Sequence, residues 1–389
     1  MYWRIALLFV VLVSALLVPV EVRAQEQPPQ QPEERASSQT LRAEVVEILE
    51  EGMHDLGPIT QPYQILTVEL LEGDREGEIV EVEVGVIDLN TTEHLYESGD
   101  QVFVSYTPAT EPGQEEMFII TDRVRTTPML VLAAMFAAAI IALGRWKGVR
   151  AIIGLAFTFA VIIYFLIPRI LDGANPVTIS VLAAIFIFMF TLYIVHGIGR
   201  MTTAAVMGTS VSLMITGLLA FIWVRLSSLT GLASDEAAFI QVMVGGEGIN
   251  MQGLLLGGII IGALGVLDDV TVSQSSTVFE LRKANPKLTM AQLFSSGITV
   301  GRDHIAATVN TLVLAYAGVA LPLLILFTQL NEPVMHVLNR EILAEEIVRT
   351  LVGSLGLICA VPLTTAIAAY MAVNSKPEDI AEYHHGHHH

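Results

Sequence analysis

From position 128 onward the chain is built of long apolar runs broken by short polar turns. Seven stretches, 128–143, 149–167, 176–196, 202–225, 252–273, 305–328 and 347–373, are almost free of charge. About 20 residues of helix cross the hydrocarbon core of a bilayer, so these runs predict about seven transmembrane helices. Ahead of them the period changes to two. The segments RAEVVEILEEG, YQILTVELLEG, GEIVEVEVGV, DQVFVSYTP and EEMFIITDRV are strand-like and separated by Gly, Asp and Pro turns. EIVEVEV alternates apolar and acidic residues strictly, as a strand with one buried face should. The pattern predicts an α-helical polytopic membrane domain at 128–373 and a small all-β domain at 41–127, an OB-like barrel.

The ends of the chain complete this organisation. Residues 1–24 carry Arg4, an apolar run from Ile5 to Val20 and a small residue at Ala24. That pattern fits a secretory signal peptide or a retained N-terminal anchor. Residues 25–40, QEQPPQQPEERASSQT, form a Pro/Gln/Glu-rich linker that cannot bury a core. Between spans four and five, Ser234 with Asp235 and Glu236 predicts the N-terminus of a short helix over 234–243, lying along the membrane interface. The segment 374–389 is a His-rich tail; HHGHHH at 384–389 has metal-binding composition and is equally compatible with a purification tag, so no function follows from it.

Composition sharpens the compartment. The chain is 53% apolar over 389 residues with a net charge of −19, and residues 25–127 hold 23 Asp/Glu against 5 Arg and no Lys. So acidic a domain argues against nucleic acid and anionic headgroups as its partners. The basic residues of the helical part cluster in alternate loops: Arg145, Lys147 and Arg150; Arg200; then Arg282, Lys283, Lys287 and Arg302. The positive-inside rule makes that side cytoplasmic, which leaves the β domain extracytoplasmic and the tail inside. Arg123 and Arg125 precede the first span on the opposite side. The one cysteine, Cys359, excludes internal disulfides and cysteine-rich zinc sites.

Candidate chemistry centres on span five. Its glycine-rich apolar run from Leu254 to Leu267 ends in Asp268 and Asp269, followed by Thr271, Ser273, Gln274, Ser275, Ser276 and Thr277. Ionisable groups within a span are costly and mark functional candidates. Adjacent helical residues point about 100° apart, so Asp269 shares a face with Ser273 and Ser276, and Asp268 one with Thr271 and Ser275. The first of these faces makes Asp269 the stronger candidate. Gly253/Gly257 and Gly258/Gly262 have the small-residue spacing that lets membrane helices approach closely. Span six opens with GRDHIAATVNTLVLAYAG, placing Asp303, Ala306, Ala307 and Asn310 on one face beside Thr308 and Thr311. The two polar helix ends are expected at similar depth, as a proton or cation site or as a hydrogen-bonded clamp. Span seven supplies Glu345 and Arg349 at ion-pair spacing, Glu346 with Thr350, Gly353 and Ser354 on one face, and Pro362 at midspan. His196 closes span three and is expected to be structural. No P-loop, GxSxG or HExxH motif occurs, so neither an enzyme nor a cofactor or metal site is expected.

Five segments in order, GRWKGVRAIIGL, TLYIVHGIGR, GGIIIGALGVLDDVTVSQSSTVFEL, GRDHIAATVNTLVLAYAG and EEIVRTLVGSLGLICAVPLT, resemble the YibE/F family of bacterial multi-pass membrane proteins. The resemblance implies that architecture and no particular chemistry. From 176 to 373 the order is also similar to one half of an RND-type or Sec-export permease. That likeness implies that Asp269 or Asp268 is a proton-relay acid, with 279–294 as the amphipathic stretch and Thr308, Asn310 and Thr311 opening the next span. Two extra spans precede this block, the spacing from the acids to Phe279 and Glu280 differs, and one half is present where such permeases have two. A homo-oligomer or a paired membrane subunit is therefore expected. The functional expectation is a permease for a small solute or ion, proton- or cation-coupled; the alternative is a non-transporting scaffold whose β domain recruits a partner.

Overall fold

The computed structural model describes residues 39–55, 60–85, 95–109, 116–243, 248–329 and 332–375. The expected signal or anchor, most of the 25–40 linker and the His-rich tail lie outside them. The described chain divides into two units, Met1–Ala133 and Ala134–His389.

The first unit contains the five expected strands: β1 (Gln39–Asp55), β2 (Thr60–Leu70), β3 (Ile79–Val84), β4 (Gln101–Thr107) and β5 (Met117–Arg123). They form one antiparallel sheet in the order β3-β2-β1-β4-β5. The last two residues of the expected linker, Gln39 and Thr40, belong to β1. The period-two pattern sends Leu41, Ala43, Val45, Leu66, Val68, Val82, Val84, Val102, Val104 and Ile120 into a single core. β1 shifts register between Val45 and Glu47 and again between Ile48 and Glu50. Each bulge leaves an apolar residue, Val46 or Leu49, on the outside and bends the strand. The sheet curls into a half-barrel in which the edge strands β3 and β5 come into contact. Gly85 (φ +87°) sits so close to β2 that a Cβ would lie 2.3 Å from the Pro62 carbonyl oxygen, so only glycine fits there.

An arginine holds the curl. Arg75, in the β2–β3 turn, pairs with Glu78 (Nε–Oε2 2.5 Å) and with Glu116 ahead of β5 (Nη1–Oε2 2.7 Å), and its guanidinium lies over Tyr106 and Phe118. The Arg75 hydrogen bond, joined by one from Tyr106, holds the Glu116 carboxyl below its ordinary value of 4.5. A depressed acid stabilises the fold above its unfolded pKa and loses that contribution as pH falls through its folded value. Glu116→Gln is therefore expected to lower the unfolding midpoint of the β unit at pH 7, with the difference closing below about pH 4.5. Pulse proteolysis across pH measures it. A gap that persisted at pH 3 would remove the ionic account.

The second unit is helical because its runs are apolar over whole turns. Its elements are α1 (Thr126–Val161, whose first residues belong to the other unit), a π-helical turn (Ile162–Leu166), α2 (Ile167–Leu171), α3 (Pro176–His196), α4 (Arg200–Leu226), α5 (Asp235–Met243), α6 (Met251–Ala284), α7 (Met290–Val319), α8 (Leu321–Gln329), α9 (Val334–Leu338) and α10 (Glu341–Val373). Among the described residues five runs are long and apolar enough to cross a membrane, and six if α7 and α8, bent by 58°, count as one. The sequence pattern divides the same residues into seven because it separates 128–143 from 149–167. In the structure these belong to one run, Thr126–Leu171, interrupted at Arg145 (φ 51°, ψ −128°). There Gly148 abuts Ile140, and a Cβ on it would lie 2.3 Å from the Ile140 carbonyl oxygen. Residues eight apart in a continuous helix are separated by about 12 Å, so the chain folds back sharply at the basic loop. α5 begins where expected, with the Ser234 hydroxyl accepting from Ala237 N at 3.2 Å. α6 and α7 extend well beyond the predicted spans into the connecting segment. Thr289 and Gln292 form a capping box that starts α7 at Met290, fifteen residues before the run expected at 305.

Candidate functional site

α4, α6 and α10 pack against one another, with α3 and α7 flanking α6. Small residues make the close approach possible. A Cβ at Gly208 would lie 2.2 Å from Thr364 Oγ1, and one at Gly356 would lie 2.0 Å from Thr216 Oγ1. Gly253 and Gly257 of the expected small-residue pattern meet Pro176 and Ser180 of α3, whereas Gly258 and Gly262 lie on the exposed side of α6. Helices drawn this close leave no room for bulky side chains. The positions between them are filled by Thr, Ser and a glutamine.

These residues form a polar seam. Thr209 Oγ1 of α4 lies 2.5 Å from Thr271 Oγ1 of α6. Thr209 can also donate to the Ala205 carbonyl (3.0 Å) and Thr271 to that of Asp268 (3.2 Å). Each hydroxyl has one proton, so the pair can point either way, from Thr271 through Thr209 to Ala205 or from Thr209 through Thr271 to Asp268. Gln274 is 3% exposed and its Nε2 donates to the Gly297 carbonyl of α7 (2.7 Å) and to Thr365 Oγ1 of α10 (2.8 Å), joining three helices. Ser275 donates to the Met201 carbonyl at 2.8 Å. Among the described residues the hydroxyl oxygens of Thr202, Ser212, Ser354 and Thr364 are buried with no hydrogen-bond partner. Buried polar groups in proteins are nearly all paired, so these four exceptions, two on α4 and two on α10, call for an explanation.

Asp268 lies at the edge of this seam, near the middle of α6. It is half-buried, and its Oδ1 is enclosed without a hydrogen-bond partner. Asp269 is exposed on the opposite side with Ser273. Burial thus favours Asp268, the reverse of the order that the serine-bearing face suggests. The reason is packing: α4 and α10 cover the side of α6 that carries Thr271, Gln274 and Ser275, and Asp268 adjoins that side.

Span six also departs from expectation. α7 turns Gly297 and Gly301 inward and packs Ile305, Val309 and Leu312 on Val270, Leu357 and Val361. Asp303, Ala306, Ala307, Asn310 and Thr311 are left exposed, and Thr308 is half-buried. Among the described residues no hydrogen bond or ion pair links Asp303, Asn310, Thr308 or Thr311 to Asp268 or Asp269; Thr311 donates to the Ala307 carbonyl of its own helix (3.0 Å). The apolar face of α7 takes the buried position, so the polar helix ends do not meet through Asp303 and Asn310. His304, adjacent to that face, is half-buried and its Nε2 lacks a partner.

On α10 the ion pair forms at a different spacing. Arg349 Nη1 binds Glu346 Oε1 at 2.9 Å rather than Glu345, since the guanidinium leans toward the side shared by Glu346 and Gly353. There it lines a small crevice with Ile259, Gly262, Tyr316 and Gly353. Thr350 donates to the Glu346 carbonyl (2.7 Å). At the same end of the bundle the Glu341 carboxylate accepts from Thr230 and from Gly231 N. No group of three His, Cys, Asp or Glu among the described residues is placed to hold a metal ion.

Thr209, Ser212, Thr364 and His304 were not singled out by pattern, and Gln274 was named only as one member of the polar run after the acids. Their signal is faint: hydroxyl residues three or four apart on one face of α4, and a lone glutamine inside a span. No curated protein and no solved structure matches the chain. The profile of the YibE/F-like protein family matches residues 132–374, more than half of the chain, and the protein belongs to that family.

Proposed function

We propose that this protein is a permease of the bacterial plasma membrane, coupled to protons through Asp268. The observation that carries the reading is the enclosed, unpartnered carboxyl oxygen of Asp268 beside a seam of hydroxyls. A carboxylate placed so is expensive, and a structural role would supply it with a donor. The Thr209–Thr271 pair, able to reverse its hydrogen bonds, and the unpartnered hydroxyls of Ser212 and Thr364 suit the passage of a proton and leave no room for a larger solute in the same seam. Asp269, Asp303 and Asn310 act outside the relay. The extracytoplasmic location of the β unit is supported by Arg200, Arg282, Lys283 and Lys287, which share the end of the bundle where α3 and α6 finish and α4 begins. The strand order and the approach of β3 to β5 support an OB-like barrel.

Proteoliposomes carrying a pH gradient test the assignment. Asp268→Asn should abolish protein-dependent proton flux while Asp269→Asn retains most of it. Because Oδ1 is enclosed without a partner, removing the charge should leave Asp268→Asn unfolding no more easily than the wild type. Unchanged flux in Asp268→Asn would defeat the permease reading. It would favour the second one, a scaffold whose β unit recruits a partner through the exposed apolar residues Val46, Leu49 and Met53 of β1.

A further inference from the structure

The outward face of α7 carries side chains that lipid cannot satisfy. Arg302, Asp303 and Asn310 are exposed, and among the described residues none has a side-chain hydrogen bond or ion pair. Two turns of helix separate Asp303 from Asn310, and the chain then stays uncharged through Gln329. That remainder is about 28 Å of helix, close to the thickness of the hydrocarbon layer. The 58° bend between α7 and α8 shortens its rise, so Asn310 falls within the apolar layer and Asp303 near its boundary. An amide facing acyl chains forgoes its hydrogen bonds and calls for a protein partner. The face is narrow at Ala306 and Ala307, between the polar positions, and continues beyond Asn310 through Leu314 and Ala317.

We propose that this face packs against the same face of a second copy of the chain. Two copies inserted in the same direction and related by a two-fold axis along the membrane normal bring equal depths together. The composition of the face is complementary to itself under that operation. An asparagine amide both donates and accepts, so Asn310 bonds reciprocally to Asn310 of the partner subunit. Asp303 shares the face of Asn310, so the same axis brings the two aspartates near each other, and Arg302, about 100° round the helix, reaches across from each side to the aspartate of the other copy and offsets their repulsion. The alanines let the two helices approach closely enough for these bonds to form. This pairing does not depend on the role of Asp268.

Cysteine cross-linking in native membranes tests it, using the full chain with Cys359→Ser as background. Ala306→Cys and Ala317→Cys should form an oxidant-induced dimer at twice the chain mass, while Ile222→Cys on α4 and Leu351→Cys on α10, both exposed, should not. Adding Asn310→Leu to Ala306→Cys should remove most of the dimer band. Arg302→Asp and Asp303→Arg should each weaken it, and the two together should restore it. Cross-linking equal at all four cysteines, absence of the dimer at both α7 positions, or a product containing a different protein would each overturn the proposal. Failure of the double charge swap to restore the band would overturn the ionic pairing specifically.

Discussion

Gly208→Val is expected to destabilise the helical unit by at least about 3 kcal/mol and to cut the yield of folded protein sharply. A Cβ at this position would lie 2.2 Å from Thr364 Oγ1 and 2.9 Å from Thr364 Cβ. Thr364 is fully buried on α10 and has nowhere to move, so α4 and α10 must separate. The same argument applies to Gly356→Val, whose Cβ would meet Thr216 Oγ1 at 2.0 Å while that hydroxyl is held on the Ser212 carbonyl. Gly258→Val is the control. Nothing lies within 4 Å of the position its Cβ would occupy, and a larger side chain improves helix propensity slightly. Denaturant titration in mixed micelles distinguishes them. If Gly208→Val and Gly258→Val behaved alike, close packing at the seam would not be what fixes the bundle.

Gln274→Ala should cost about 2–4 kcal/mol in the same titration. It removes the two hydrogen bonds that tie α6 to Gly297 of α7 and Thr365 of α10, and it leaves a hole where Gly297 and Gly301 come close. Gln274→Leu keeps most of the volume and loses only the bonds. Hydrogen bonds between membrane helices are worth about 0.6–2 kcal/mol, so the leucine variant should fall between wild type and alanine. A leucine variant less stable than alanine would show that shape rather than bonding dominates here. Neither variant touches Asp268, and the difference between their effects on proton flux and on stability separates the structural part of the seam from the proton site.

Much of the fold was legible because its signals are local. Each of the five strands lies where the strand-like runs between Gly, Asp and Pro turns placed it, and α3 spans the expected residues, 176–196. The length of α6 and α7 was not legible, since polar, helix-compatible segments such as TVSQSSTVFELRK continue a helix without any apolar signature. The break at Arg145 was legible as the short basic loop between 128–143 and 149–167; the backbone dihedrals that turn the chain there were not.

The candidate site shows the same division more sharply. Sequence alone determined that a carboxylate pair interrupts an apolar helix, that a polar face opens span six and that glycines permit close packing, because each is a matter of residue type and spacing. Only the tertiary structure decided which face of α6 is covered, and so that Asp268 rather than Asp269 adjoins the seam. It also decided that α7 packs Ile305, Val309 and Leu312, half-buried, on its neighbours and presents Asp303 and Asn310 outward. A helix with two usable faces fixes its own periodicity but not its rotation. That rotation is chosen by the summed packing of its neighbours, here the glycine and threonine surfaces of α4 and α10, which lie many residues away along the chain.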